Sequence, residues 1–178
     1  MAQFGEILNR AGLLWGVGAS AMLHQYGLTE SPNDIDIIVA EKDIEAADKI
    51  LSVLGSRKEM NKSDFYATDN FYEYHLPLMD VDVICGYKII LPDKRIYSYL
   101  FDAESIPTSV RIENEQIPFT TLEDWYVLYQ LMPNRETKAR IVEDFLKENG
   151  VKHPLLLQRM LNNEATPDTV RERSLQLL

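Results

Sequence analysis

The chain has one cysteine in 178 residues, Cys85, so no intrachain disulfide can form. That fits a reducing compartment, and a cytoplasmic location is the expectation. No run approaches the roughly 18 to 20 apolar residues of a membrane span, so no membrane association is expected. The stretch "AGLLWGVGASAML" behind Arg10 imitates a secretory signal, but Glu6 spoils its basic flank and three glycines interrupt its core. Basic residues are scarce: 18 Lys and Arg stand against 28 Asp and Glu, a net charge of -10. A protein that grips nucleic acid by bulk electrostatics needs the opposite balance, so no nucleic-acid partner is expected. There is no internal repeat and no low-complexity segment, and His24, His75 and His153 are scattered without metal-ligand spacing. What remains is an ordinary globular composition, 46% hydrophobic and 26% charged, long enough for one domain or a domain with a helical appendage.

Along the chain, Phe4, Ile7, Leu8 and Ala11 recur at helical spacing and Gly12 closes the segment. "LLWGV" reads as a short strand, "ASAMLHQYG" as a helix ending at Gly27, and "LTESPND" as a turn-rich loop leading into a strand over 34–39. A helix follows with Ile44, Ala47, Ile50, Leu51 and Leu54 on one face and Gly55 as its stop. Beyond a polar loop near 61–70, "FYEYHLPLMDVDVIC" reads as two extended segments split at Pro77, and "SVRIENEQIPFT" as a hairpin. From Thr120 the pattern turns helical. "TTLEDW" carries a capping signature, and further helices are predicted near 135–149, 153–163 and 167–178, the last opened by Thr166 and Pro167. The expected division is a mixed α/β core over 1–119 and a helical region over 120–178 packed on it.

Within this frame, "NDIDIIV" sets Asp34 and Asp36 on one face of an otherwise apolar strand. Residues i and i+2 of a strand lie only about 7 Å apart, and two carboxylates at about 6 Å repel by roughly 3 kcal/mol at an effective dielectric of about 20. "LMDVDVIC" places Asp82 in a second apolar strand, with Asp80 on the same face. Asp80 follows the Pro77 turn and reads more simply as an exposed strand start, so Asp82 ranks above it. A divalent cation would offset the repulsion of three carboxylates, since hard cations prefer oxygen ligands. The plain alternative makes Asp34 a loop cap and Asp36 a solvated edge residue. "GVGASA" also matches the dinucleotide pattern G-x-G-x-x-[GA]. Against that reading, the acids precede the apolar core of their strand, two share one face, and further βαβ units are missing. Arg135, Lys138 and Val142 share a helical stripe that suits an anion site as well as a solvated face. Residues Phe65 to His75 could stack a ring, but their alternation favours a half-buried strand.

Together "GVGASAM", "DIDIIV", "VDVI" and "TTLEDWYVLYQLMPNRETKARIVEDFL" resemble the nucleotidyltransferase superfamily, the DNA polymerase beta-like fold, particularly its minimal branch, over most of residues 12–148. The resemblance implies an α/β (α+β) fold with a mixed sheet flanked by helices and a C-terminal helical region. It implies that Asp34, Asp36 and Asp82 bind Mg²⁺, with room for a second metal ion, and that Asp82 can act as base. Gly18, Ala19 and Ser20 would bind the phosphates through backbone N–H groups, with Lys138 reaching the triphosphate and Arg135 beside it. The implied reaction moves a nucleoside monophosphate from a nucleoside triphosphate, ATP by default, to a hydroxyl of a small-molecule or protein acceptor, releasing pyrophosphate.

This chain departs from the family pattern in two places. The family turn usually reads Gly-Ser or Gly-Gly, whereas Ala19 follows Gly18 here, and Ala139 stands where an acid often follows the basic residue. These departures raise the alternative of a degenerate, antitoxin-like member that binds a nucleotide or a partner protein without turnover. The leucines of the helical tail, Leu155, Leu156, Leu157 and Leu161, leave an oligomer open.

Overall fold

A computed structural model describes residues 1–58 and 63–178. Phe4 and Leu8 are buried on one side of α1 (Ala2–Arg10), and Trp15 of β1 (Trp15–Val17) packs against Phe4 with ring centroids 5.9 Å apart. Helix α2 (Ala19–Gln25) opens at Gly18 and stops before Gly27, whose φ of +68° an L-residue rarely adopts. Strand β2 (Asp34–Val39) then leads through a 3-10 turn to α3 (Ile44–Leu54), which buries Ile44, Ala47 and Leu51.

Three further strands, β3 (Ser56–Lys58), β4 (Asn70–His75) and β5 (Asp80–Cys85), complete one half of a seven-stranded mixed sheet. The hairpin β8 (Thr108–Ile112) and β9 (Glu115–Phe119) completes the other, giving the order β3-β4-β5-β2-β1-β9-β8. A separate two-stranded ribbon pairs β6 (Lys88–Ile90) with β7 (Ile96–Ser98). The expected polar loop near 61–70 ends at Asn70, where β4 begins, and residues 61 and 62 fall outside the described ones. Part of that loop is extended, for Phe65 to Asp69 lie along Gly86 to Ile90, with Ala67 N–H donating to Lys88 O at 3.1 Å and Ile90 N–H to Phe65 O at 2.8 Å.

Four helices follow: α4 (Leu122–Leu131), α5 (Glu136–Asn149), α6 (Pro154–Leu161) and α7 (Asp168–Leu175). Thr121 caps α4 by accepting from Asp124 N–H at 3.2 Å, as the capping signature predicts. Helix α4 is buried nearly all round because α2, α5, α6 and α7 all pack against it. No helix is long and apolar enough to cross a membrane, among the described residues.

Two sheet pairings position the site. Strands β2 and β5 run parallel with Ile35 beside Val81 and Ile37 beside Val83, all buried on one face. Tyr74 of β4 shares that face, and its hydroxyl donates to Asp48 of α3, so α3 covers it. By strand alternation Asp34, Asp36 and Asp82 point to the other face.

Candidate active site

The β2–β5 register sets Asp36 directly beside Asp82, and Asp34 beside Asp80. Asp80 is engaged elsewhere: Lys58 Nζ reaches it at 2.8 Å and His75 Nδ1 at 2.6 Å. These bonds, Lys58 first, hold its carboxyl below the ordinary range. The other three acids open into a cleft of about 650 Å³ that is also lined by Ala19, Ser20, Arg135 and Lys138. Of the residues that the family resemblance implies for the site, all but Gly18 line this one cleft.

Gly18 stands behind the cleft wall. Its N–H donates to the Asp36 carbonyl at 2.9 Å, so it is committed within the sheet, and a Cβ there would run into the Trp125 indole. Trp125 is fixed in turn, its Nε1–H donating to Thr120 Oγ1 at 2.7 Å, while the Thr120 hydroxyl donates to Val17 O at 2.9 Å. The expectation that Gly18 offers a backbone donor is thus corrected: it provides space, and Ala19 and Ser20 form the turn's lining. Ala19 adopts a φ of +45°, a conformation suited to glycine.

The electrostatics follow from this crowding. Burial, then the neighbouring Asp34 charge, pushes Asp36 up to about 7, against the pull of Lys138 and Arg135. Burial also raises Asp82 to about 7, with added repulsion from Asp36, Asp34 and Glu73. Lys138 is lowered by burial and by Arg135. Its ammonium lies 5.5 Å from the Tyr129 ring centroid, a cation–π distance.

Among the described residues no three His, Cys, Asp or Glu side chains already converge as metal ligands. The donor set nonetheless suits a hard divalent cation: three carboxylates on adjacent strands, two of them pushed up to about 7 by burial and then by one another's charge.

Several residues in or beside the cleft carried no signal of their own in the sequence. Glu73 sits beside Asp82 across the β4–β5 pair. Tyr87, Trp125, Tyr129 and Met132 line the cleft, yet in the sequence their apolar character reads only as core. Within the segment from Phe65 to His75, β4 is the expected strand, and Tyr66 and Phe71 line the cleft.

No protein-family model and no curated protein matches the sequence. Solved structures do share its fold. A Thermotoga maritima protein assigned as a nucleotidyltransferase matches 83% of this chain and 90% of its own length, at 21% identity and a TM-score of 0.62. ANT(2'')-Ia, solved with adenylyl-2''-tobramycin, matches 90% of this chain and 97% of its own, at 14% identity and a TM-score of 0.53. LnuA, a lincosamide antibiotic adenylyltransferase solved with lincomycin bound, matches 78% of this chain and 90% of its own, at 11% identity and a TM-score of 0.51. The chain has the nucleotidyltransferase fold, a mixed sheet flanked by helices.

Proposed function

We propose that the chain transfers a nucleoside monophosphate from a nucleoside triphosphate, ATP first, to a hydroxyl of an acceptor, releasing pyrophosphate. The observation that carries this reading is the pairing of unlike charges across one cleft. Asp34, Asp36 and Asp82 lie on one side, and Arg135 and Lys138 approach Asp36 from the other.

Asp34, Asp36 and Asp82 would hold Mg²⁺, which supplies positive charge to the phosphoryl oxygens when bound. Arg135 and Lys138 would bind the β- and γ-phosphates, with the Ser20 hydroxyl and the Ala19 and Ser20 N–H groups beside them. Asp82 would take the proton of the acceptor hydroxyl. As that proton leaves, the acceptor oxygen forms a bond to the α-phosphorus and the bond to pyrophosphate breaks. The burial of Asp36 and Asp82 lets fixed charges act at higher strength than in water. In this reading residues 1–119 supply the carboxylates and 120–178 the phosphate-binding cations. The antibiotics named for ANT(2'')-Ia and LnuA favour a small-molecule acceptor over a protein one.

The second reading is a nucleotide- or partner-binding protein without turnover. The Ala19 conformation favours it, because a constrained turn fits phosphates less freely than a glycine turn.

Thermal unfolding of the wild type and of Asp36→Asn, each with ATP, Mg²⁺ and both, tests the proposal. Ligand at about a hundred times its dissociation constant adds roughly 2.7 kcal/mol, or about 5 to 11 °C for this size. The expected shift needs nucleotide and cation together and vanishes in Asp36→Asn. No shift with any nucleotide would refute the reading, and a full shift without pyrophosphate release across acceptors would favour the second.

A further inference from the structure

Lys138 stands where its own charge should carry it onto the acids. Its stem springs from the first turn of α5 and lines the cleft that Asp34, Asp36 and Asp82 open into, and a four-carbon stem is flexible enough to follow its charge. Among the described residues the ammonium nevertheless makes no ion pair, and Asp36 and Asp34 act on it only through charge at a distance. It lies instead over the face of Tyr129, 5.5 Å from the ring centroid, inside the about 6 Å at which an aromatic face holds a cation. The ring is itself fixed. Tyr129 is 2% exposed in α4, and its centroid lies 5.4 Å from that of Trp125, with the rings inclined by 46°. Trp125 is locked by Thr120 and backed by Gly18. The Tyr129 hydroxyl is buried without a hydrogen bond among the described residues, so the ring is the part of Tyr129 that serves the cleft.

We propose that Tyr129 is a positioning residue: its ring face seats the Lys138 ammonium clear of the carboxylates, so that lysine and divalent cation hold separate places in one cleft. This inference rests on the nucleotidyltransferase reading above. An ammonium competes with a divalent cation for the same carboxylate oxygens. Bonded to Asp36 or Asp34, Lys138 would weaken their hold on the cation and would itself be withdrawn from the phosphates. A ring face attracts the ammonium without offering it an anionic oxygen, so the lysine stays beside the acids and remains free to turn to a phosphate. One line of contacts then runs from the turn after β1 through Trp125 and Tyr129 to Lys138. It joins the two parts of the phosphate-binding set.

Calorimetry with Mn²⁺ and α,β-methylene-ATP, on the wild type and on variants of Tyr129 and Lys138, tests this. Tyr129→Leu should weaken binding of the analogue about three- to tenfold, the range of a partly desolvated cation–π contact. The deficit should shrink as Mn²⁺ rises, because the metal then displaces the ammonium from the acids. In a Lys138→Met background the same substitution should change affinity by less than about twofold, since no ammonium remains to be seated. Tyr129→Phe, which keeps the ring, should bind as the wild type does. Replacing Tyr129 by a trifluorinated phenylalanine keeps the ring's shape and removes its negative face, and it should reproduce the loss even if Tyr129→Leu fails to fold. Wild-type binding by the folded Leu variant or the fluorinated one, a loss undiminished without Lys138 or at high Mn²⁺, or an equal loss in Tyr129→Phe would each overturn the inference. Failure of the wild type to bind the analogue would instead overturn the underlying reading, and it is seen before any substitution is made.

Discussion

At residue scale, Ala19 is where conformation and chemistry conflict. Its φ of +45° falls where an L-residue loses roughly 1–2 kcal/mol, on the turn that lines the cleft. Ala19→Gly should relieve that strain, offset by about 0.4–1 kcal/mol of added freedom in the unfolded chain. The net expectation is a midpoint higher by up to about 6 °C in thermal unfolding; a clear decrease would show that the turn is unstrained. Asp36 and Asp82 make a second prediction. Both hold protons up to about pH 7 when folded, against an ordinary value of 3.8. Because the folded state binds the extra protons, their contribution to stability is complete below about pH 4 and is lost as pH rises through about 7. Asp124, buried and also raised to about 7, acts in the same direction. Cation-free protein should therefore unfold at a lower temperature at pH 8 than at pH 5. Asp36→Asn should recover part of the loss, and Mg²⁺ should bind more tightly at pH 8 than at pH 6. A cation-free midpoint that rises between pH 5 and 8 would contradict this.

At the scale of elements, the turn after β1 is held by its packing against α4. Gly18→Ala would drive a methyl group into Trp125, whose Nε1 would lie only 2.9 Å from it. Overpacking of this kind costs about 1–3 kcal/mol, so the midpoint should fall by roughly 2–12 °C, with nucleotide affinity falling alongside; an unchanged midpoint would show that Trp125 moves aside freely. Little of this was legible in the sequence. Strands β2 and β5 were, because acids alternating with Ile and Val have few other meanings, and the start of α4 was, because Thr121 caps it. The three-residue strands β3, β6 and β7 were not, being too short for a periodicity to register. The commitment of the Gly18 N–H to Asp36 is a tertiary fact with no local signature. The three acids were recognisable as a group, but their register with one another, and the escape of Asp80 to Lys58 and His75, depend on strand pairing that spacing alone does not specify.

At the scale of the whole molecule, the last helix is tied to the one that carries Lys138. Arg173 of α7 donates to Glu143 of α5 from both Nε and Nη2 and reaches Glu136 at 3.0 Å, while Glu143 is only 10% exposed. Arg173→Ala leaves that carboxylate with Lys147 alone, at 2.7 Å, and lost bonds to a charged group cost about 1.5–3 kcal/mol. The midpoint should fall by roughly 3–12 °C, and a change of under a degree would make α7 dispensable to the fold. The same long-range construction has a consequence during synthesis. All three aspartates have been translated by residue 82, but Arg135 and Lys138 arrive more than fifty residues later. At about 5–20 residues per second that is an interval of roughly 3–11 seconds. Through those seconds the acidic strands exist without the cations of α5, so the three carboxyls stay solvated or protonated until the chain that balances them has been made.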